Sequence, residues 1–398
     1  MSIHEDKEDK LDLYIKSGGN TFVSWRHDLH EHPELAFQEK RTSAFVAEKL
    51  REFGIEVHEG LAGTGVVGLL KRGNSPRMIG LRADMDALPL EELNDFTYRS
   101  QTPGVMHGCG HDGHTTMLLA AAGYLAGEHA DFDGTIAFIF QPAEENLAGA
   151  GVMVREGFFD RFPIEKVYGL HNRPVLPFGT FALRRGPFMS AADNFGITIN
   201  AHGGHGGSPH LAVDGAVIAA EIILALQTVV SRHTDPLDAA VISVTQMKAG
   251  NSDNVIADQV SLRGTARSLR PEVQDRIETM MRHMAKNIAE MHGAEAEVVY
   301  ERRYPPLAND PAEADHAASI AAGLVGADKV SLDVNPSMGS DDFSYFGRER
   351  PSAFIWLGTG PAEKGRHLHN PRYDFNDAAI PLGVSYWVRL AESVLAPS

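Results

Sequence analysis

The chain has 398 residues, long for a single hydrophobic core, so two domains are expected. Its 43% hydrophobic and 22% charged residues are those of an ordinary globular protein, and a formal net charge of -17 argues against nucleic acid or an anionic membrane surface as a partner. One cysteine excludes an intrachain disulfide and suits a reducing compartment, the polar start lacks the apolar core of a signal peptide, and no apolar run approaches the ~20 residues that cross a bilayer. A cytoplasmic location is the expectation.

Residues 10–53 read as two helices. The second, from about 39 to 53, carries Phe45, Val46, Leu50 and Phe53 at helical spacing and stops at Gly54. Between the helices, His27-Asp28-Leu29-His30-Glu31-His32-Pro33-Glu34 imitates a metal site, but Pro33 breaks the run and no strand end presents it to a cleft. It reads as a surface-like helix and turn. Gly63-Thr64-Gly65-Val66-Val67-Gly68 matches the dinucleotide fingerprint, which demands a helix after the glycines. Instead the glycines lead into a short apolar run closed by Arg72-Gly73-Asn74-Ser75-Pro76, hence a strand and a turn.

From there strands and helices alternate, the pattern of a mostly parallel sheet with helices on its faces. Strands are expected at 78–83, ending in Asp84-Met85-Asp86, and at 135–140, ending in Gln141-Pro142-Ala143-Glu144-Glu145. Two more are expected at 165–170, ending in His171-Asn172, and at 353–357, followed by a loop with His367 and His369. The middle of the chain reads strand (195–199), helix (211–232), two strands (241–247 and 259–265), helix (271–291), strand (296–300). That βαββαβ order describes a small α+β domain at 190–300, inserted between halves of a larger one at 1–189 and 301–398.

The chemistry gathers around Met106-His107-Gly108-Cys109-Gly110-His111-Asp112-Gly113-His114, which places the sole thiol two residues from an imidazole. These are the side chains that bind borderline-soft transition metals best, and the helix expected after them would favour the thiolate. In open α/β sheets ligands bind beyond the carboxyl ends of the strands, where Asp84, Asp86, Glu144, Glu145 and His171 are expected. Cys109, His111, Glu145, His171 and one of His367 or His369 make five ligands. Five suit two ions if one ligand, naturally the thiolate, bridges. Such a pair polarises a carbonyl and lowers the pKa of a shared water from about 15.7 to about 7, roughly 12 kcal/mol of differential stabilisation. Of the adjacent Glu144 and Glu145, one can ligate while the other serves as general base.

Arg82-Ala83-Asp84-Met85-Asp86-Ala87-Leu88-Pro89, the Cys109 stretch, Gln141-Pro142-Ala143-Glu144-Glu145, Gly169-Leu170-His171-Asn172, Gly203-Gly204-His205, Asn254-Val255-Ile256 and Gly264-Thr265-Ala266-Arg267 occur in order. Together they resemble the dinuclear-metal amidohydrolase branch of the aminoacylase/carboxypeptidase family, which includes hippurate hydrolases and hydrolases of indole-3-acetyl–amino acid conjugates. The resemblance implies a zinc-exopeptidase-like α/β catalytic domain with an inserted ferredoxin-like lid and dimerisation domain. It implies Cys109, His111, Glu145, His171 and His369 as metal ligands, Glu144 as the base, and His205 stabilising the oxyanion in a neighbour's site. Residues matching Asn254 and Arg267 would hold the substrate carboxylate. The implied cofactor is a pair of divalent ions, zinc or manganese, with cobalt and nickel also suited to the donors. The implied activity is hydrolysis of N-acyl amino acids by a homodimer or higher homo-oligomer, with a small-molecule substrate and neither nucleic acid nor membrane as partner. Two rivals are a cysteine-nucleophile amidase using Cys109 and a non-catalytic metal- or ligand-binding protein. Asp341, in Gly339-Ser340-Asp341-Asp342-Phe343, stands where the family more often has glutamate.

Overall fold

The computed structural model describes residues 3–363 and 365–397. The chain forms two compact units, one of Met1–Gly186, Ala308–Asn335 and Tyr345–Ser398, the other of Pro187–Leu307 and Pro336–Ser344. In chain order the first unit contributes α1 (Ile3–Glu31), α2 (Lys40–Glu52), β1 (Glu56–Leu61), β2 (Gly65–Arg72), β3 (Met78–Asp84), α3 (His111–Ala126), β4 (Gly134–Gln141), β5 (Lys166–Pro177) and β6 (Phe181–Ala182). The second holds β7 (Ala192–Asn200), β8 (Gly204–His205), α4 (Gly215–His233), β9 (Ala240–Ala249), β10 (Val255–Ile256), β11 (Gln259–Ser268), α5 (Pro271–Met291) and β12 (Glu295–Tyr304). The chain then returns to the first with α6 (Pro311–Val325), β13 (Val330–Ser331), β14 (Ser352–Gly360) and α7 (Ile380–Val394).

The first unit is an eight-stranded mixed sheet in the order β1-β2-β4-β3-β5-β14-β6-β13. Its central strands β4, β3, β5 and β14 run parallel, while β1 and β2 form an antiparallel margin. β4 and β14 are buried along their whole length, which is why they read as unbroken apolar runs rather than alternations. α3 is buried on nearly every side, packing on β3, α1 and α7. The glycine-rich decoy is a tight hairpin: Ala62 and Gly63 turn with φ of 47° and 90°, and β2 pairs back on β1.

The order of the central strands creates the cleft. β3 has β4 on one side and β5 on the other, so the winding reverses there. β3 and β5 pair only as far as Arg82 opposite Gly169, whereas β5 continues beside β14 to Pro177. Past Gly169 the sheet opens. His171 and Asn172 therefore sit inside a long strand at the lip of that opening, not beyond a strand end as expected, because β14 supplies the hydrogen bonds that carry β5 further.

A second correction concerns the histidine-rich end of α1. It is not surface-like: Arg26 and His30 are fully buried. His30 lies 2.8 Å from Asp112 and 3.2 Å from Glu92, and Arg26 reaches Asp377 at 2.7 Å and Asp374 at 3.1 Å. Burial opposes charge on His30, but Asp112 and Glu92 outweigh it and lift its pKa to about 9. The cluster is a charge network fastening α1 to the start of α3.

The second unit is a four-stranded antiparallel sheet, β9-β11-β7-β12, with α4 and α5 on one face. Along β7 the buried Phe195, Ile197 and Ile199 alternate with Asn194, Gly196 and Thr198. The unit is larger than the predicted 190–300. Residues 336–344 belong to it because Ser190 N–H donates to the carbonyls of Ser337 (3.1 Å) and Gly339 (3.0 Å), and Ser337 N–H to that of Phe188 (2.9 Å). Asp341 lies in this returning segment, where its carboxylate accepts from Phe343 N–H at 2.8 Å. α4 also corrects the expectation about apolar runs, since its 19 residues are long and apolar enough to cross a bilayer. Ile218, Ile222, Leu226 and Val229, spaced three and four apart, face this unit's core, which accounts for much of its apolarity.

Two helical glycines separate propensity from packing. A Cβ on Gly383 of α7 would lie 2.0 Å from the sulfur of Met117 on α3, while one on Gly323 of α6 would meet nothing within 4 Å. Gly323→Ala is expected to stabilise the protein by about 0.5–1 kcal/mol, and Gly383→Ala to destabilise it by about 1–3 kcal/mol despite the same helix-propensity gain. Denaturant midpoints at constant m-value measure both; equal shifts would contradict the close packing of α7 on α3.

Candidate metal centre

The cleft is built from backbone first. Gly110 caps α3 with φ 93°, and a Cβ there would lie 2.6 Å from Asn172 Oδ1 and 2.7 Å from the Tyr373 hydroxyl. Only glycine allows that turn at that distance, and it places Cys109 and His111 on either side of the bend. Opposite, β4 ends in a contorted segment with Ala143, Asn146 and Ala148 all at positive φ. Glu39 accepts from Ala143 N–H at 2.8 Å and from the Thr64 hydroxyl at 2.6 Å, holding the entry to this segment. The two oxygens of Asp86 then accept the N–H groups of Glu144 (3.0 Å) and Glu145 (2.9 Å). Glu145 has an extended ψ of 104°, so the neighbouring glutamates do not follow a helical course and diverge.

Ligand atoms of Cys109, His111 and Glu145 lie within 4.8 Å of one another. His171 Nε2 is 3.5 Å from the Cys109 sulfur. His369 Nε2 is 3.1 Å from Glu145 Oε1, close but not aligned as a hydrogen bond. Its loop is held by His369 N–H donating to Gly108 O at 2.8 Å, on the residue preceding Cys109. His367 is exposed, and its carbonyl accepts from Asn370 N–H at 3.2 Å. The structure thus gathers Cys109, His111, Glu145, His171 and His369, with the base candidate Glu144 buried next in sequence.

Asp84 and His114 sit beside the group, and Asp84, His111, His114 and His171 also converge. Their atoms are already committed. Asp84 receives Arg82 Nη1 and His114 Nδ1, each at 2.6 Å, and His114 Nε2 meets Asn172. Burial opposes ionisation of Asp84, but Arg82 and the two imidazoles outweigh it and hold its pKa well below the carboxylate range. This is a buried brace beneath the cluster, continued by Asn172 donating to the Tyr373 hydroxyl at 2.6 Å. Asp86, Glu39, Asn172 and Tyr373 are the positioning residues that pattern reading did not assign. The Asp84-Met85-Asp86 spacing was the one visible signal.

The donors suit a transition-metal pair on this structure's own terms. His111 Nδ1 donates to Asp86 O at 2.8 Å and His171 Nδ1 to Asn172 O at 2.7 Å, which turns each Nε2 toward the cluster. His111 Nε2 and Glu145 Oε1 are buried without a hydrogen-bond partner. One sulfur, three imidazoles and a carboxylate are the donor types that zinc and its neighbours take.

Electrostatics overturn one expectation. Burial, then Glu145, Glu144 and Asp84, push the Cys109 thiol well above its ordinary pKa, although it sits at a helix start. Three carboxylates in a buried site outweigh the partial charge of a helix end. Burial disfavours charge on His111 as well, yet Asp84, Asp86 and Glu145 raise its pKa to about 10. Burial and the His114 imidazole hold His171 well below its ordinary value. Glu145 is penalised by burial, but His369 and His111 keep it below the usual range.

The remaining candidates lie in the second unit. His205 is exposed on β8, opposite Val255 of β10, and Asn254 O accepts from Gly206 N–H at 2.9 Å, so His205 and Asn254 are neighbours. Arg267, on β11, directs Nη1 at the Thr265 hydroxyl and at Ala266 O (2.9 Å).

Comparisons with known proteins identify the family. The chain is 41% identical over 370 residues to hippurate hydrolase of Campylobacter jejuni, covering 93% of this chain and 95% of that protein. It is 38% identical over 374 residues to N-acetylcysteine deacetylase of Bacillus subtilis, covering 94% and 96%. The crystal structure of the Bacillus subtilis YXEP protein, described as a dinuclear metal binding peptidase from the M20 family, superposes with a TM-score of 0.83 at 34% identity over 96% of this chain and 99% of that one. The model of Peptidase family M20/M25/M40 matches residues 80–393. The chain therefore belongs to that family, and it is a hydrolase with the α/β fold and clustered metal-ligand donors found here.

Proposed function

We propose that the protein hydrolyses the amide bond of N-acyl amino acids, releasing a carboxylic acid and a free amino acid. The observation that carries the reading is the pair Glu144 and Glu145, held by the two oxygens of one carboxylate and set apart by a break in helical geometry. The names of the relatives from Campylobacter jejuni and Bacillus subtilis support the substrate class. Cys109, His111, Glu145, His171 and His369 would hold two divalent ions, zinc or manganese being the best matches to the donors. When bound, such a pair polarises the amide carbonyl and acidifies the attacking water.

The chain's own groups do the rest. Glu144 takes the proton of the water that adds to the carbonyl carbon and returns it to the leaving nitrogen as the C–N bond breaks. Asp86 fixes both glutamates and, through its carbonyl, the tautomer of His111. His205, Asn254 and Arg267 are the proposed contributions of the second unit, His205 to the oxyanion and the other two to the substrate. The exposed Val217 and Leu224 of α4 support pairing of that unit in a homodimer. The rival in which Cys109 is the nucleophile is disfavoured by the site itself, because burial and then the neighbouring carboxylates push the thiol up where a nucleophile needs the thiolate.

Glu144→Gln is expected to keep its metal and lose turnover by at least about 100-fold, whereas Cys109→Ala loses metal and activity together. Elemental analysis beside hippurate hydrolysis separates the two. Full activity in the Glu144 variant would remove it as the base, and activity that survives chelation but not iodoacetamide would restore the cysteine mechanism.

The metal-free site also sets a pH dependence. At neutral pH Cys109, well above its ordinary value, and His111, at about 10, are both protonated. Loading must displace both protons, so the overall constant for binding the two ions should rise by about a hundredfold per pH unit, about tenfold per ion, across roughly pH 6 to 8 and fall off as pH drops. Metal titrations in buffers of different ionisation enthalpy measure the proton release; none released would contradict the assignment of these two ligands.

A further inference from the structure

α3 begins at the metal centre with His111, and Tyr124 in its last turn stands about 20 Å further along the helix axis. There α3 meets α1, α6 and α7 around a separate cavity of about 430 Å³. Leu11 of α1, Tyr124, Ile320 and Gly323 of α6, and Arg389 and Glu392 of α7 line it. A volume of that order accommodates a small organic molecule.

Two features of the lining are unexplained by the fold. Glycine weakens a helix, yet Gly323 lies within α6 where a Cβ would meet nothing within 4 Å. No neighbour packs into the place of its missing side chain, so what the residue keeps open is the cavity wall. Tyr124 is only 4% exposed, yet its hydroxyl has no hydrogen-bond partner among the described residues. Buried tyrosine hydroxyls ordinarily find one. Its ring is fixed edge-on by Tyr14, 5.4 Å away between centroids, and the Tyr14 hydroxyl donates to Ala120 O at 3.0 Å. Burial and then Glu392 push the Tyr124 pKa up to about 12, so the hydroxyl stays neutral at physiological pH.

The charges of the lining choose the ligand. Asp131, Glu392 and Arg389 sum to one negative charge, which favours a cation over an anion. Glu392 Oε1 accepts from Asp131 N–H at 3.0 Å, one of about four bonds a carboxylate can take. Leu11, Ile320 and the Tyr124 ring supply the apolar side. We propose that this cavity binds a small arylalkyl amine, its ring over Gly323 between Leu11 and Ile320, its ammonium on Glu392 and the Tyr124 hydroxyl.

The test is a ligand-observed NMR titration of the metal-loaded protein with phenethylamine and with phenylacetate, which keeps the ring and reverses the charge. Phenethylamine should bind with a Kd on the order of 0.1–1 mM, and phenylacetate at least about tenfold more weakly. Gly323→Leu, which fills the cavity, should weaken the amine by at least about tenfold, and Tyr124→Phe by about 3- to 10-fold. Both variants should keep the metal content of the wild type, and chelation should leave the amine's affinity unchanged. If Gly323→Leu fails to fold, Gly323→Ala and Glu392→Gln carry the test, each expected to weaken binding by about threefold. A wild type that does not bind phenethylamine, or binds phenylacetate equally well, overturns the proposal. So does unchanged affinity in the cavity-filling variant, or loss of the amine on chelation, which would put it at the metal centre.

Discussion

One carboxylate governs the geometry of the centre. Asp86 receives the N–H groups of Glu144 and Glu145 on its two oxygens, and its own carbonyl receives the imidazole of His111. Three groups from two separate stretches of chain are thereby referred to one residue just past β3. The segment it holds is intrinsically unfavourable, with Ala143, Asn146 and Ala148 at positive φ. Backbone of this kind persists only where surrounding bonds over-determine it. Glu39 and Asp86 supply those bonds, and divergence of two adjacent glutamate side chains is what they secure.

The supports of the site are buried ions arranged in series. Arg82 neutralises Asp84, Asp84 orients His114, and His114 meets Asn172, which in turn bonds Tyr373. Arg26, His30 and Asp112 form a second series behind α3. Neither adds much net stability, since desolvation of each charge consumes most of the Coulomb gain. Their use lies in specificity. A misplaced α3 would strand several charges in the core, so the helix that starts at Cys109 and His111 has one admissible position.

Much of this was legible from periodicity. β3, β4, β14 and the βαββαβ unit announced themselves as apolar runs or alternations, and the strand-end rule led to Glu144, Glu145 and His171. What stayed hidden depends on partners distant in sequence. His171 lies within β5 because β14, nearly two hundred residues on, extends the pairing. Residues 336–344 join the second unit through bonds to 188 and 190 that no local pattern reveals. The His27 to Glu34 run looked solvated because its acidic partners, Asp112 and Asp377, are likewise remote. The Asp86 clamp escaped because hydrogen bonds to backbone leave no mark in the composition of the segment they hold.

The charge state of Cys109 shows why motif and environment must be weighed together. A thiol at the start of a helix suggests a ready thiolate, and the sequence invites that inference. In place, it faces Glu145, Glu144 and Asp84 in a buried setting that screens them weakly, and a helix end worth about 0.5 of a charge cannot compensate. A site with this excess of carboxylate attracts cations and resists anions. Burial and these carboxylates push the thiol up, and a cation among them would favour the thiolate, so Cys109 suits a ligand's role by electrostatics as well as by chemical softness.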